Sequence, residues 1–126
     1  MLSLSSAYRY YLYQGFADMR SGFDSLSGLV RHQLNRDPLN GDIFIFLNRR
    51  RNQVKLLLWD GDGFAIYYKR LEKGTYELPQ TNESTKAVEM RSDELMLMLH
   101  GISLQSIQRR KRFDWNKKIM HGRALA

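Results

Sequence analysis

The chain has 126 residues, no cysteine, and 20 Lys plus Arg against 13 Asp plus Glu, for a net charge of +7. Its length suits one domain that buries roughly two thirds of the surface its unfolded chain exposes, so no metal or disulfide staple is required. The lack of cysteine excludes disulfides, thiol nucleophiles and Cys-ligated zinc or iron–sulfur centres, and fits a reducing compartment.

Leu2 and Leu4 are followed by Ser-Ser-Ala-Tyr-Arg-Tyr rather than by the apolar core of a secretory signal. No apolar run approaches the roughly 18 residues a membrane span needs, and the expected location is the cytoplasm. Charge is distributed unevenly. From Ser103 to Ala126 the bases Arg109, Arg110, Lys111, Arg112, Lys117, Lys118 and Arg123 face Asp114 alone, so a nearly neutral body carries a basic tail. That asymmetry favours a polyanionic partner, nucleic acid first, although it also serves solubility.

The aromatic segment Ala7 to Tyr13 holds Tyr8, Tyr10, Tyr11 and Tyr13 around Arg9 and Leu12, and reads as a strand paired to the sheet formed later. Such tyrosines can stack nucleobases, but packing on a sheet face is the commoner use. Asp18 fits an N-cap. Met19, Phe23, Leu26, Leu29, Val30 and Leu34 then recur at spacings of three and four, the apolar stripe of a helix over about 19–34. Asn35-Arg36-Asp37-Pro38-Leu39-Asn40-Gly41 ends it.

Residues 43–47, 53–59 and 64–70 are rich in β-branched and aromatic types and are separated by two turn signals, Asn48 to Asn52 and Asp60-Gly61-Asp62-Gly63. They form a predicted three-stranded antiparallel meander, since Asp-Gly supplies the positive φ of a tight hairpin. Ile43, Ile45 and Leu47 alternate with Phe44 and Phe46, and Val54, Leu56 and Leu58 with Leu57 and Trp59. A sheet with one wet face would be polar at every second position. Both faces therefore need a cover, which one helix cannot provide; a second helix, a partner subunit or another macromolecule must supply the rest.

Leu71 to Gly74 reads as a turn, Thr75 to Leu78 as a short last strand closed by Pro79, and Gln80 to Ala87 as a mobile polar loop. Val88 to Met90 adds a little extended structure. Ser92 then caps a short helix, about 93–100, with acids in its first turn and Gly101 as its stop. Leu95 to Leu99 are consecutive apolar residues and leave no side of this helix polar, so it is buried or docked on a partner. The expected fold is α+β: an antiparallel sheet of about four to five strands with helices at about 19–34 and 93–100. Residues 1–102 make one domain, and 103–126 a basic tail that is partly disordered when free.

Asp60 and Asp62 are closely spaced carboxylates, but Phe64 stands where a calcium loop needs a third ligand and no glutamate closes it. His32, His100 and His121 have no metal-site spacing. Ser3, Ser5 and Ser6 lie in no nucleophile elbow, and no phosphate-binding glycine loop is present. No catalytic constellation, metal or cofactor is expected. The basic residues remain. Arg49, Arg50 and Arg51 sit on a hairpin tip where long cations can reach phosphates, with Lys55, Lys69 and Arg70 on or near the same strands. A turn of arginines is also simply soluble, and the two readings stay open. Arg109-Arg110-Lys111-Arg112, followed by Phe113, Trp115, Lys117 and Lys118, combines charge with stacking groups and points more firmly to nucleic acid.

The order Ala17-Asp18-Met19-Arg20-Ser21-Gly22-Phe23-Asp24, Gly41 to Phe46, Lys55 to Phe64, and Tyr68-Lys69-Arg70-Leu71-Glu72-Lys73-Gly74 resembles the small accessory proteins of bacterial IS-66 family insertion sequences. These TnpB-type products of the element's second open reading frame are matched over about residues 5–102. Ala17 replaces a usual threonine, and Ser21 a usual lysine or arginine, which weakens any phosphate contact at the helix start. The resemblance implies a role in transposition beside a separately encoded DDE-type transposase, and it supplies no catalytic residues. The partners it implies are element-end DNA, the transposase, or both. The alternative is a protein–protein module, forming a homo-oligomer or docking on the transposase, without direct DNA contact.

Overall fold

The computed structural model describes residues 4–78 and 85–101. The expected tail, with Arg109, Arg110, Lys111, Arg112, Lys117 and Lys118, lies outside the described residues, as does most of the expected loop at 80–87. The elements in chain order are β1 (Tyr10–Tyr13), α1 (Phe23–His32), β2 (Ile43–Leu47), β3 (Gln53–Trp59), β4 (Phe64–Arg70), β5 (Ala87–Met90) and α2 (Ser92–Leu99). They build one sheet in the order β4-β3-β2-β1-β5.

The meander occupies the three spans its turns and composition dictate. At the second turn Asp60 N–H donates to the Gly63 carbonyl at 2.8 Å, and Gly61 takes the φ of 86° that tight hairpins demand. The sheet is mixed rather than wholly antiparallel. β1 lies parallel to β2, with Tyr10 opposite Ile43 and Leu12 opposite Ile45, because the chain between them crosses over through α1. β5 pairs antiparallel with the free side of β1, Tyr10 opposite Met90. The last strand is thus Ala87–Met90; Thr75 to Leu78 is no strand, and its Tyr76 N–H donates to the Arg51 carbonyl at 2.7 Å.

Period-two alternation sorts the apolar side chains onto two faces, and each has its own helix. Phe44, Phe46, Leu57 and Tyr11 pack with Leu26 and Val30 of α1, together with Ala17 and Leu34. Ile43, Ile45, Leu47, Val54 and Leu56 pack on the other side with Tyr10, Leu12, Tyr76 and Leu95, Met98 and Leu99 of α2. The second cover is therefore supplied by the chain itself. Each of these large side chains contributes about 1.5–3 kcal/mol on leaving water, which makes the two-sided core the main source of stability.

The helix ends differ from expectation. α1 begins at Phe23 with Gly22 as N-cap, not at Met19. Asp18 is engaged before the helix: its carboxylate accepts from Arg20 N–H at 2.8 Å, and its carbonyl from Ser21 N–H at 2.9 Å, which makes residues 18–21 a turn. Met19 and Leu34 still reach the core from outside the helix, while Phe23 faces solvent. α2 starts one residue earlier than expected, with Arg91 as N-cap and its N–H donated to Glu94 Oε1 at 2.9 Å.

Tyr76 is 1% exposed, yet its hydroxyl has no partner among the described residues. Burial pushes its pKa up to about 12, with Tyr67 adding to the effect. A pKa above the unfolded value means stability that is whole below about pH 10 and lost as pH rises towards 12. Tyr76→Phe is expected to leave neutral-pH stability unchanged or raised by up to about 1 kcal/mol, since it removes an unsatisfied group. It should also extend the folded range in an alkaline melt, whereas a clear loss of stability at neutral pH would mean that the hydroxyl is paired.

Candidate nucleic-acid interface

One end of the sheet gathers most of the positive charge of the described residues. The β2–β3 turn lies there, with the end of β4, the 71–76 segment after it, and the 16–21 segment between β1 and α1. Two backbone bonds tie these together: Leu71 N–H to the Asn52 carbonyl at 2.7 Å, and Ala17 N–H to the Leu47 carbonyl at 2.9 Å. Exposed at this end are Arg20, Arg49, Arg50, Arg51, Lys69, Arg70, Lys73 and, beside the end of β1, Lys86, against Asp18, Glu72 and Glu77. At the opposite end the balance reverses, with Asp37, Asp42, Asp60, Asp62, Asp93 and Glu94 against Arg9, Arg36 and Arg91. The folded domain is thus electrically polarised along the strands, although residues 1–102 are nearly neutral in sum.

The arginine turn owes its shape to asparagines. Asn48 Oδ1 accepts from Asn52 N–H at 3.0 Å and Gln53 N–H at 2.9 Å, and Asn48 Nδ2 donates to Asn52 Oδ1 at 2.7 Å. This clamp frees Arg49 and Arg50 from any duty in the turn and holds Arg51 at φ 60°, a left-handed conformation that costs a non-glycine residue about 1–2 kcal/mol. Glycine or asparagine would serve better there on conformational grounds.

The three arginines do not point into a set of acids. The ion pairs seen among the described residues are Arg20–Asp18 at 2.6 Å, Arg70–Glu72 at 3.2 Å and Arg91–Asp93 at 3.0 Å, all solvent-exposed. Arg20's donation holds the Asp18 carboxyl down at about 2, but pairs this exposed add little stability. Instead, Arg49 and Arg51 lie 5.2 and 5.9 Å from the ring centre of Phe16, itself 39% exposed. Tyr68 on β4 is 51% exposed, stands opposite Lys55 in the β3–β4 register, and donates its hydroxyl to Gln53 Oε1.

The other residues expected to contact nucleic acid fall in different places. Lys55 is only 8% exposed; its ammonium donates to the Ser21 carbonyl at 2.7 Å and lies 4.6 Å from the Tyr68 ring centre. It ties the approach to α1 onto β3 rather than standing with the turn arginines. Arg70 pairs with Gln53, next to the turn and on the α1 side of the sheet, while Lys69 pairs with Val54 on the α2 side. Phe16 and Tyr68 were not foreseen from the sequence. Tyr68 precedes Lys69-Arg70, a local hint, but Phe16 reaches the arginines only through tertiary structure. Of the early tyrosines, Tyr10 and Tyr11 are buried in the sheet, with Arg36 3.8 Å over the Tyr11 ring.

Asp60 and Asp62 stand exposed in their hairpin, and among the described residues no three His, Asp or Glu side chains gather as a metal site would require. Nor is any helix among them long and apolar enough to cross a membrane.

Compared with known proteins, residues 8–109 match a family model described as IS66 Orf2 like protein. The chain is 32% identical over 102 residues to the uncharacterized protein y4hO of Sinorhizobium fredii, covering 81% of this chain and 87% of the relative. It is 32% identical over 93 residues to the uncharacterized protein y4jC of the same organism, covering 74% and 78% respectively. No solved structure matches.

Proposed function

This chain belongs to the IS66 Orf2-like family, the accessory proteins of an insertion sequence's transposition, and on that premise we propose that it acts without catalysis by gripping the element's DNA through the basic end of its sheet. The observation that carries this reading is the arginine turn, three adjacent cations outside the ion pairs of the described residues and held on a clamped hairpin at the positive pole of a polarised domain. Phosphate contacts of this kind position a protein on DNA and choose no sequence. Sequence choice would then rest with the separately encoded transposase. The basic tail adds Arg109, Arg110, Lys111, Arg112, Lys117 and Lys118 to the same electrostatic term. The protein would work in the cytoplasm, where that DNA lies.

Docking through an open sheet face is the weaker reading, because both apolar faces pack against helices of the same chain, while docking on the outer side of α2, where Met96 is exposed, stays the alternative. The test is titration of the full-length chain with element-end DNA over a range of salt. Each phosphate neutralised contributes about −0.9 to the slope of log K against log salt on duplex. A linear fall with a slope steeper than about −3 is expected, one phosphate for each turn arginine at the least. Salt-independent binding, or none, would contradict the reading.

A further inference from the structure

Phosphate binding needs cations alone, and the basic end offers more than cations. Phe16 belongs to neither core cluster and remains 39% exposed with the guanidiniums of Arg49 and Arg51 within 6 Å. Tyr68 stands on the edge strand β4 with Lys55 near its ring and the rest of the side chain half in solvent. Between it and the turn the register places the Gln53–Arg70 pair, on the same face. Phe23, also exposed, enters α1 just after Ser21, whose carbonyl holds Lys55. Aromatic rings and basic side chains thus interleave across one end of the sheet.

Resting on the DNA-binding reading above, we infer that this surface takes an unpaired strand rather than a duplex, with phosphates on the arginines and bases stacked on Phe16 and Tyr68. The chemistry favours a single strand because every base presents a π-face to an aromatic ring once it leaves the stack. In a duplex those faces are covered by neighbouring base pairs, and exposing one costs a few kcal/mol. A duplex would therefore use the cations and gain nothing from the rings. The hydroxyl bond from Tyr68 to Gln53 and the cations around Phe16 fix both rings before the strand arrives, which lowers the ordering cost of binding.

The experiment measures binding of the full-length chain to a labelled single strand of about 12 nucleotides, within the usual site-size range, and to the duplex of the same sequence at equal salt. The single strand is expected to bind about tenfold tighter or more. Phe16→Leu with Tyr68→Leu keeps apolar bulk, removes the π-faces, and should weaken single-strand binding about tenfold for each ring while leaving duplex binding within about twofold. Equal affinity of the unaltered chain for strand and duplex overturns the inference, as does an unaffected double variant with an unchanged thermal transition. In either case cation-driven DNA binding still stands. If neither form binds, the DNA reading falls as well.

Discussion

Replacing Arg49, Arg50 and Arg51 together by glutamine is expected to weaken DNA binding by the full-length chain about a hundredfold at roughly 0.1 M salt. The slope of log K against log salt should also flatten by about 2–3, since each phosphate contact contributes about 0.7 on a single strand and 0.9 on duplex. The fold should not suffer. The turn is closed by Asn48 and Asn52, not by the arginine side chains, and all three arginines are exposed. Arg51→Gly sharpens the point. Glycine adopts the φ of 60° without strain, so this change should keep or raise stability while removing one cation's share of the slope. A binding loss in a protein that melts no lower separates a role in contact from a role in structure. An unaltered slope in the triple variant would move the DNA contact elsewhere on the chain.

Leu95→Asp is expected to cost more than about 3 kcal/mol and to leave little folded protein at 37 °C. Leu95 is fully buried where α2 meets the sheet, and a carboxylate there has no partner to offset its desolvation. Met96, its neighbour on the same helix, is 43% exposed, and Met96→Asp should change stability by no more than about 0.5 kcal/mol. The contrast tests whether α2 really covers the second sheet face in the isolated protein. If Leu95→Asp melted like the unaltered chain and instead lost a partner, that face would be an interface after all.

The three strands of the meander could be read to the residue because two independent signals agree there: alternation of β-branched and aromatic side chains, and turns whose chemistry leaves few options. The two-sided apolar pattern also announced correctly that two covers were needed. It could not say which, because hydrophobic periodicity records that a face is buried and not what buries it. Likewise β1 was legible as a strand, but its parallel pairing to β2 depends on the crossover through α1. The overlong estimate for α1 has a local cause. Met19 and Leu34 keep the helical spacing and reach the core, but Gly22 and the Asp18–Arg20 turn hold the chain out of the helix until Phe23.

At the candidate interface the sequence revealed charge and concealed geometry. Arg49 to Arg51 were visible as a run on a turn, whereas Lys55 read as one more base and is instead bonded to Ser21. The grouping of Arg20, Arg70 and Lys73 with the turn, and of Phe16 beneath it, comes from segments far apart in sequence. No local pattern could have joined them. The polarity of the domain is hidden for the same reason, since opposite ends of one sheet alternate along the chain and their charges cancel in any running sum.

Mapping backbone amide shifts on the full-length chain during titration with element-end DNA would test the basic end most directly. Shifts are expected at Phe16 to Arg20, Asn48 to Gln53 and Tyr68 to Lys73, growing as salt is lowered, with Asp42 and the turn at Asp60 to Gly63 unmoved. Shifts centred on the Asp60 turn, or an unmoved arginine turn at saturating DNA, would contradict it.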